Sequence, residues 1–526
     1  MRPEEFNIPK EKLQFKVQSG DIHDQKLDTK PVGFLKDAWT RFKKNKASIA
    51  ASVIIILLIL FAIFVPIFSH YRVSYSDDAS YPIFKDALPK NRVTTALGLD
   101  FWDGCKENKI NETKFLLQQA YAAETGHYAY KDGEYEVIVE TNILTSANLY
   151  KIREDSYFTK GMVYKNLTPE EYQDIQDYQN ETGIQVIYPT INKEVQGTEK
   201  IEQAEPNLWF KYKKVKNKIT AIYDKNGEFI PNYVEVTKDA NGNYSDDYNS
   251  IRIEGDEAKY SYAAIKDGGY RVRVSFYEYY CFYNTVYYDE GITEPVFLFG
   301  TTSAGQDILT CLASGARFSL ILSVIVASVN LIVGAIIGAL EGYYGGVVDL
   351  VVERVIDILG SIPFMIVITL LKHNFRNLSH LVILFISFFI TGWTGMAART
   401  RMQFYRYKNQ EYVLVARTLG ASDGRIMFKH IFPNAIGTLI TGSVLVIPGV
   451  IFSETSLSYL GIINLESGNL ISVGTLLGKG TSTTLITTPH VIIFPALFIS
   501  LLMLSFNLFG NGLRDAFNPS LRGTEE

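Results

Sequence analysis

Residues 48–68, SIAASVIIILLILFAIFVPIF, carry no charged side chain across 21 positions. At a 1.5 Å rise per residue, about 20 apolar residues cross the ~30 Å hydrocarbon core of a bilayer. The stretch therefore predicts a membrane-spanning helix. It starts some 47 residues into the chain and has no small-residue cleavage site, so it reads as an uncleaved anchor and not as a signal peptide. Further candidate spans lie at 318–340, roughly 351–371, 377–398, 433–453 and 485–510, which makes six. The third is interrupted by Asp349, Glu353, Arg354 and Asp357, leaving only Ile358 to Leu371 uncharged. The expected fold class is an α-helical polytopic membrane protein.

The bulk composition hides this pattern. Across 526 residues, 20% are charged and the formal net charge is −5, because polarity is concentrated in one central block. Lysine and arginine near span ends set orientation. The flank before the first span holds Lys36, Arg41, Lys43, Lys44 and Lys46. The loop after the fourth holds Arg399, Arg401, Arg406, Lys408, Arg417, Arg425 and Lys429. Both flanks are expected in the cytoplasm, with both termini. Residues 1–47 form an N-terminal tail on this reading, loosely ordered over 1–30, and 514–526 form a C-terminal one. The segment 69–297 is then extracytoplasmic.

Within that segment, residues about 100–290 read as an inserted α+β domain. Alternation in EYEVIVETNIL and YRVRVSFYEYY predicts half-buried strands. TPEEYQDIQDYQNETG opens at Thr168 with Glu171 three residues on, the signature of a capped helix ending near Gly183. YDKNGEF and DANGNY are turn signals. Cys105 and Cys281 lie near the two roots of the domain. A disulfide there would close a long loop and stabilise by ~5 kcal/mol; two unpaired buried thiols are the alternative. Cys311 reads as packing.

Catalytic signatures are missing from the sequence. GTTSAGQD, Gly300 to Asp307, has the glycine spacing of a phosphate loop but Gln306 and Asp307 where Lys and Ser/Thr are required. The seven histidines are scattered and form no zinc motif, so no metal is expected. No cofactor in this chain and no nucleic-acid partner is expected. Gly334, Gly338 and Gly342 recur at four-residue spacing on one helical face, which suits close helix packing. Asn330 and Glu341 are polar exceptions at membrane depth. Asn330 is a candidate for the translocation path or for an interhelical hydrogen bond.

Between the fourth and fifth candidate spans lies ARTLGASDGRIMFKHIFPN, residues 416–434. QEYVLVARTLG puts Tyr412, Val415 and Leu419 on one helical face, and Gly420 supplies the left-handed residue that ends the helix. A second helix restarts after Ser422, with Ile426, Met427 and Phe428 as apolar contacts, and Pro433 opens the next span. Two short helices held between two spans suit a docking element better than a helix lying on the membrane surface.

This loop resembles the EAA loop of inner-membrane subunits of binding-protein-dependent ABC importers, EAAxxxG with a proline thirteen residues after the glycine. Gly420, Pro433 and Ala416 hold that spacing, while Leu414 and Val415 stand where the motif has its glutamate and first alanine. Glu411, Tyr412 and Val413 match the EYV that precedes the motif in peptide permeases. The resemblance extends, in order, through RFKKNKASIAASVIIILLILFAIFVPIF, FGTTSAGQDILTCLASGARFSL, EGYYGGVVDLVVERVIDILGSIPF, ETSLSYLGI and FNLFGNGLRDAFNPSLR. Together they are similar to the second permease subunit of oligopeptide and dipeptide importers, with Thr302 replacing Asp and Gln306 replacing Arg. The large insertion departs from the compact family pattern.

The resemblance implies the type I ABC importer permease fold, a bacterial plasma (inner) membrane location and a core over 298–513. It implies pairing with a homologous second permease subunit, two cytoplasmic ATPase subunits carrying ATP and Mg, and an extracytoplasmic peptide-binding protein. The coupling loop over 410–433 would then use Glu411, Ala416, Arg417, Gly420, Ala421, Asp423, Arg425, Lys429 and Pro433. Nickel or another small solute is the alternative substrate within this class. The rival from another class is a membrane-anchored extracytoplasmic receptor, which has no use for such a loop. For the insertion, three roles stay open: seating the binding protein, packing its tyrosines into its own core, or meeting a matching insertion on the partner subunit.

Overall fold

The computed structural model describes residues 34–142, 145–215, 218–238, 244–245, 259–266, 268–466, 470–480 and 487–517. The tail expected over 1–30 and most of the DANGNY turn lie outside these residues. The basic flank before the first span is no tail. It forms helix α1 (Phe34–Lys44), whose Phe42 packs edge-on against Phe509 at 5.6 Å beside Ala38 and Ala516. Asn45 then caps α2 (Lys46–Phe68), accepting from the Ser48 amide at 3.2 Å.

The insertion follows. It contains α3 (Arg92–Ala96), β1 (Cys105–Asn111), α4 (Glu112–Thr125), β2 (Tyr130–Asn142), β3 (Thr145–Asp155) and β4 (Met162–Leu167). Then come α5 (Pro169–Thr182), β5 (Ile187–Tyr188), the pair β6 (Tyr212–Val215) and β7 (Lys218–Ala221), and the pair β8 (Thr237–Lys238) and β9 (Tyr244–Ser245). β10 (Ala263–Lys266), β11 (Gly269–Ser275) and α6 (Phe276–Val286) complete it. One antiparallel sheet runs β1–β3–β2; in the other, β11 pairs with β10, β4 and β5.

Local signals are obeyed closely here. The Glu171 amide donates to Thr168 Oγ1 at 3.1 Å, the Thr168 amide to Glu171 Oε2 at 2.7 Å, and Gly183 ends α5 at φ +71. Gly227, at φ +84, turns the chain so that Tyr223 bridges Phe229. The strand expected through YRVRVSFYEYY stops at Ser275, and FYEYYCFYNTV is helical. Aromatic residues favour strands only where a pleated, half-buried surface receives them. Here Phe276 to Asn284 are buried on every side, which a helix inside a core satisfies.

That core gathers Tyr157, Tyr172, Tyr178, Tyr280 and Phe282 with Tyr81, Phe84 and Phe297. The domain boundaries are therefore wider than 100–290, because residues on both sides of that range share its core. Many of the tyrosines pack inward and are not interface surface. A second tie is Arg273, fully buried on β11, which donates to both Glu124 carboxylate oxygens on α4 and to the Pro206 carbonyl at 2.6 Å.

The expected disulfide is absent. Cys105 and Cys281 are both free; their thiols lie 3.6 Å from the Asp103 carbonyl and 3.5 Å from the Thr293 carbonyl. Burial, with Asp155 and Asp103 nearby, pushes the Cys105 thiol up to about 12, which favours its protonated form. Cys311 is buried in α7 (Ile308–Tyr344).

Asp307 caps α7 by accepting from the Thr310 amide at 2.9 Å, which is what the end of GTTSAGQD does structurally. The third candidate span is two helices, α8 (Gly346–Ser361) and α9 (Phe364–Asn374), bent by 79°. Pro363 excludes its predecessor from helical backbone, and Ile362 accordingly sits at ψ 118°. α10 (His380–Gly392) and α11 (Thr394–Tyr407) form one continuous rod. α12 (Glu411–Thr418) and α13 (Asp423–Arg425) follow, and a π segment over 426–431 leads into α14 (Phe432–Val444) and α15 (Val446–Tyr459). α16 (Val473–Lys479) and α17 (His490–Phe517) end the described chain. Among the described residues, five helices are long and apolar enough to cross a membrane, or six if the bent pair counts as one.

Candidate coupling site

Helix α12 ends in a Schellman arrangement. The Gly420 amide donates to the Arg417 carbonyl at 3.0 Å and the Ala421 amide to the Ala416 carbonyl at 3.1 Å, with Gly420 at φ +81. Ser422 then extends, and the Ile426 amide donates to its carbonyl at 3.0 Å; its side chain makes no cap. Pro433 stands in the first turn of α14, as expected of a residue that opens the span, but the chain is already helical before it. Pro433 has no amide to return to Lys429, and the helix widens to π pairing over 426–431 just before it, so the second loop helix runs unbroken into the membrane rod 423–459.

One side of this element is packed. Val413, Ala416, Ile426, Met427 and Ile431 are buried, most of them against Ala339 of α7 and Phe404 of α11. The Tyr343 hydroxyl donates to Asp423 Oδ1 at 2.6 Å, and the Arg417 guanidinium lies 5.8 Å over the Tyr343 ring. Lys408 donates to the Gly342 carbonyl at 2.9 Å, satisfying an acceptor at the C-terminal end of α7. The loop is thus locked to that end.

The other side is apolar and uncovered: Leu419 is 82% exposed, Phe428 63% and Val415 56%, with Tyr412 and Leu414 beside them. Glu411, Arg417, Arg425 and Lys429 are exposed around it, as is Pro433, while Ala421 is half-buried. Tyr412, Val415 and Leu419 do share a face, and it points outward. Phe428, expected as a packing contact, is also outward.

Above the loop, α7 and α11 approach closely. A Cβ added at Gly334 would lie 2.7 Å from Met396 Cβ, at Gly338 2.2 Å from the Ala397 carbonyl oxygen, and at Gly342 2.7 Å from Phe404 Cβ. Asn330 is buried on α7 against Gly392. Glu341, fully buried, meets Arg401 Nε at 3.2 Å; Asp349 lies 2.7 Å from the same nitrogen and Glu353 2.7 Å from Nη1. Three carboxylates scattered in sequence, two of them interrupting the third candidate span, converge on one guanidinium. The charges themselves were the available signal, since charges at membrane depth need partners.

The model of the binding-protein-dependent transport system inner membrane component matches residues 308–523, and that of the N-terminal TM domain of oligopeptide transport permease C matches 33–88. The oligopeptide transport system permease protein OppC of Bacillus subtilis (strain 168) is 41% identical over 224 residues, covering 43% of this chain and 72% of that protein. This chain belongs to the binding-protein-dependent transport permease family. It is a multi-pass membrane protein with the role of an ABC import permease. The dipeptide transport system permease protein DppC of the same organism is 38% identical, covering 43% of this chain and 69% of that protein. DppC of Lactococcus lactis subsp. cremoris (strain MG1363) is 36% identical, covering 44% and 67%. The inward-facing MetNI methionine ABC transporter aligns with 39% of this chain and 96% of its own at 13% identity, with a TM-score of 0.31.

Proposed function

We propose that this permease subunit forms half of the path by which an ATP-driven importer moves oligopeptides or dipeptides, and that its 410–433 loop seats on a cytoplasmic ATPase subunit carrying ATP and Mg. The chain crosses the plasma membrane six times, the bent pair α8–α9 counting as the third crossing, with both termini in the cytoplasm. A homologous second permease subunit completes the path. Peptide is the substrate class named for the relatives above. The carrying observation is the uncovered apolar face of Tyr412, Val415, Leu419 and Phe428, ringed by Arg417, Arg425 and Lys429 and fixed to α7 from behind. A rigid apolar patch with a charged rim is the anatomy of a protein contact.

Burying a leucine contributes about 1.5–3 kcal/mol. Leu419→Ala is therefore expected to weaken retention of the ATPase subunits by roughly tenfold or more, at 1.4 kcal/mol per decade. Co-purification across a dilution series checks this; unchanged retention refutes the contact.

The insertion, on the extracytoplasmic side, helps seat the peptide-binding protein. Tyrosine abundance no longer supports that reading, but β2 does. Among the described residues it pairs only with β3, and it presents Tyr135, Val137 and Val139, all exposed, at alternate positions. Excising 100–290 would uncover Tyr81, Phe84 and Phe297, so surface changes are the cleaner probe. The triple change Tyr135→Ser, Val137→Ser, Val139→Ser is expected to weaken binding-protein affinity several-fold with the domain still folded. Equal affinity to the unaltered transporter rules the docking face out.

A further inference from the structure

Residues 92–102, RVTTALGLDFW, lie between α2 and β1 and expose Val93, Leu97, Leu99, Phe101 and Trp102 by between 38% and 68%. The backbone is held to present them. Trp102 sits at φ +52, a conformation bulky residues rarely adopt. Its carbonyl is pinned there by the Asn91 amide at 2.7 Å and Thr94 Oγ1 at 3.0 Å. Strain that is over-determined in this way marks a position with a job.

The Trp102 ring lies 6.2 Å from Phe494 and 6.4 Å from Phe299, which stack on each other at 4.1 Å. Phe494 is one turn inside α17, and Phe299 precedes α7. Trp102 therefore stands at the start of α17, beside the segment that leads into α7. Directly beneath, Leu57, Phe61, Leu312, Leu497 and Leu501 line a groove of about 360 Å³ between α2 and α17. Leu57, Leu497 and Leu501 are themselves exposed on the apolar faces of spans, a surface that suits lipid.

We propose that residues 92–102 lie in the interfacial layer of the bilayer, with Val93, Leu97, Phe101 and Trp102 against lipid and an acyl chain in the groove below. The patch is continuous with the lipid-facing surface of α2 and α17, and no charge interrupts it from Val93 to Leu99. Arg92 stands at its start and Asp100 between Leu99 and Phe101; they pair with Glu294 and Lys131. An indole at the membrane–water boundary has its apolar body and polar edge each in a matching phase. The insertion is thereby tethered to the membrane surface beside its root. This contact holds whichever leaflet the insertion faces.

The test uses the full-length protein in lipid bilayers with Cys105→Ser, the two remaining cysteines being buried. Nitroxides are attached singly at Val93→Cys, Leu97→Cys and Phe101→Cys, and power saturation is read with oxygen and with a water-soluble nickel chelate. Leu57→Cys serves as the lipid reference and Tyr223→Cys, exposed on the insertion, as the water reference. The expected result at all three sites is higher oxygen and lower nickel accessibility than at Tyr223→Cys, lying between that water reference and Leu57→Cys at the middle of α2, as an interfacial depth requires. High nickel accessibility places the patch in water and overturns the proposal. Low accessibility to both probes means a protein covers it and overturns it equally.

Discussion

Replacing Gly338 with valine is expected to stop α7 and α11 from packing, with loss of most folded protein in mild detergent. The Cβ would fall 2.2 Å from the Ala397 carbonyl oxygen and 2.8 Å from Thr400 Cβ. The first of these is backbone inside a helix, so no rotamer change relieves it. Gly334 and Gly342 make the same approach one turn to either side, so separation at Gly338 opens the whole seam. It also moves Glu341 away from Arg401, leaving a fully buried carboxylate without its cation. Overpacking alone costs about 1–3 kcal/mol, which for a chain of this size lowers the melting temperature by only about 1–3 °C, so the opened seam and the stranded carboxylate carry most of the expected loss. Gly360→Val on α8, where an added Cβ meets nothing within 4 Å, is the control. A Gly338→Val protein that purifies and melts like that control would show that the helices are not held this tightly.

The membrane part of the fold was legible because lipid imposes one simple demand, a charge-free run of helical length. Where reading failed, a residue with a specific backbone effect had been averaged into the run. Pro363 stands in plain view in SIPF, yet hydropathy alone joined α8 to α9. Pro433 does stand in the first turn of α14, and what periodicity hides there is the π turn that joins this helix to the segment before it. The Thr168–Glu171 box was legible because it is local, two hydrogen bonds between residues three apart. The core of the insertion was not, because Tyr81 and Phe297 reach it from outside the segment whose composition defined it. The same distance limit undid the Cys105–Cys281 pairing: proximity to the two roots in sequence says nothing of where two sulfurs point. In the loop, periodicity gave the faces but not what covers them, so the outward direction of Leu419 and Phe428 needed coordinates.

Gly420→Val tests whether the loop must hold one shape to transmit motion. The φ of +81 costs glycine nothing, but a branched side chain there costs about 1–2 kcal/mol. A Cβ at this position meets no atom within 4 Å, so the effect is conformational and not a clash. Relieving the strain means turning Ala421 and Ser422, which breaks the Ala421 amide bond to the Ala416 carbonyl and swings Asp423 from Tyr343. The apolar faces of α12 and of the 423–431 segment then no longer share one plane. A penalty of that size lowers the ratio of correctly shaped to rearranged loop roughly 5- to 30-fold. Peptide uptake in proteoliposomes is expected to fall, by at most that factor, while ATP hydrolysis by the assembled complex falls less, since the ATPase subunits themselves are unaltered. Gly420→Asn is expected to recover most of the uptake, because asparagine enters the left-handed region more readily than other side chains. Uptake at the unaltered rate in a stably assembled Gly420→Val transporter would mean that the left-handed turn is not part of the coupling.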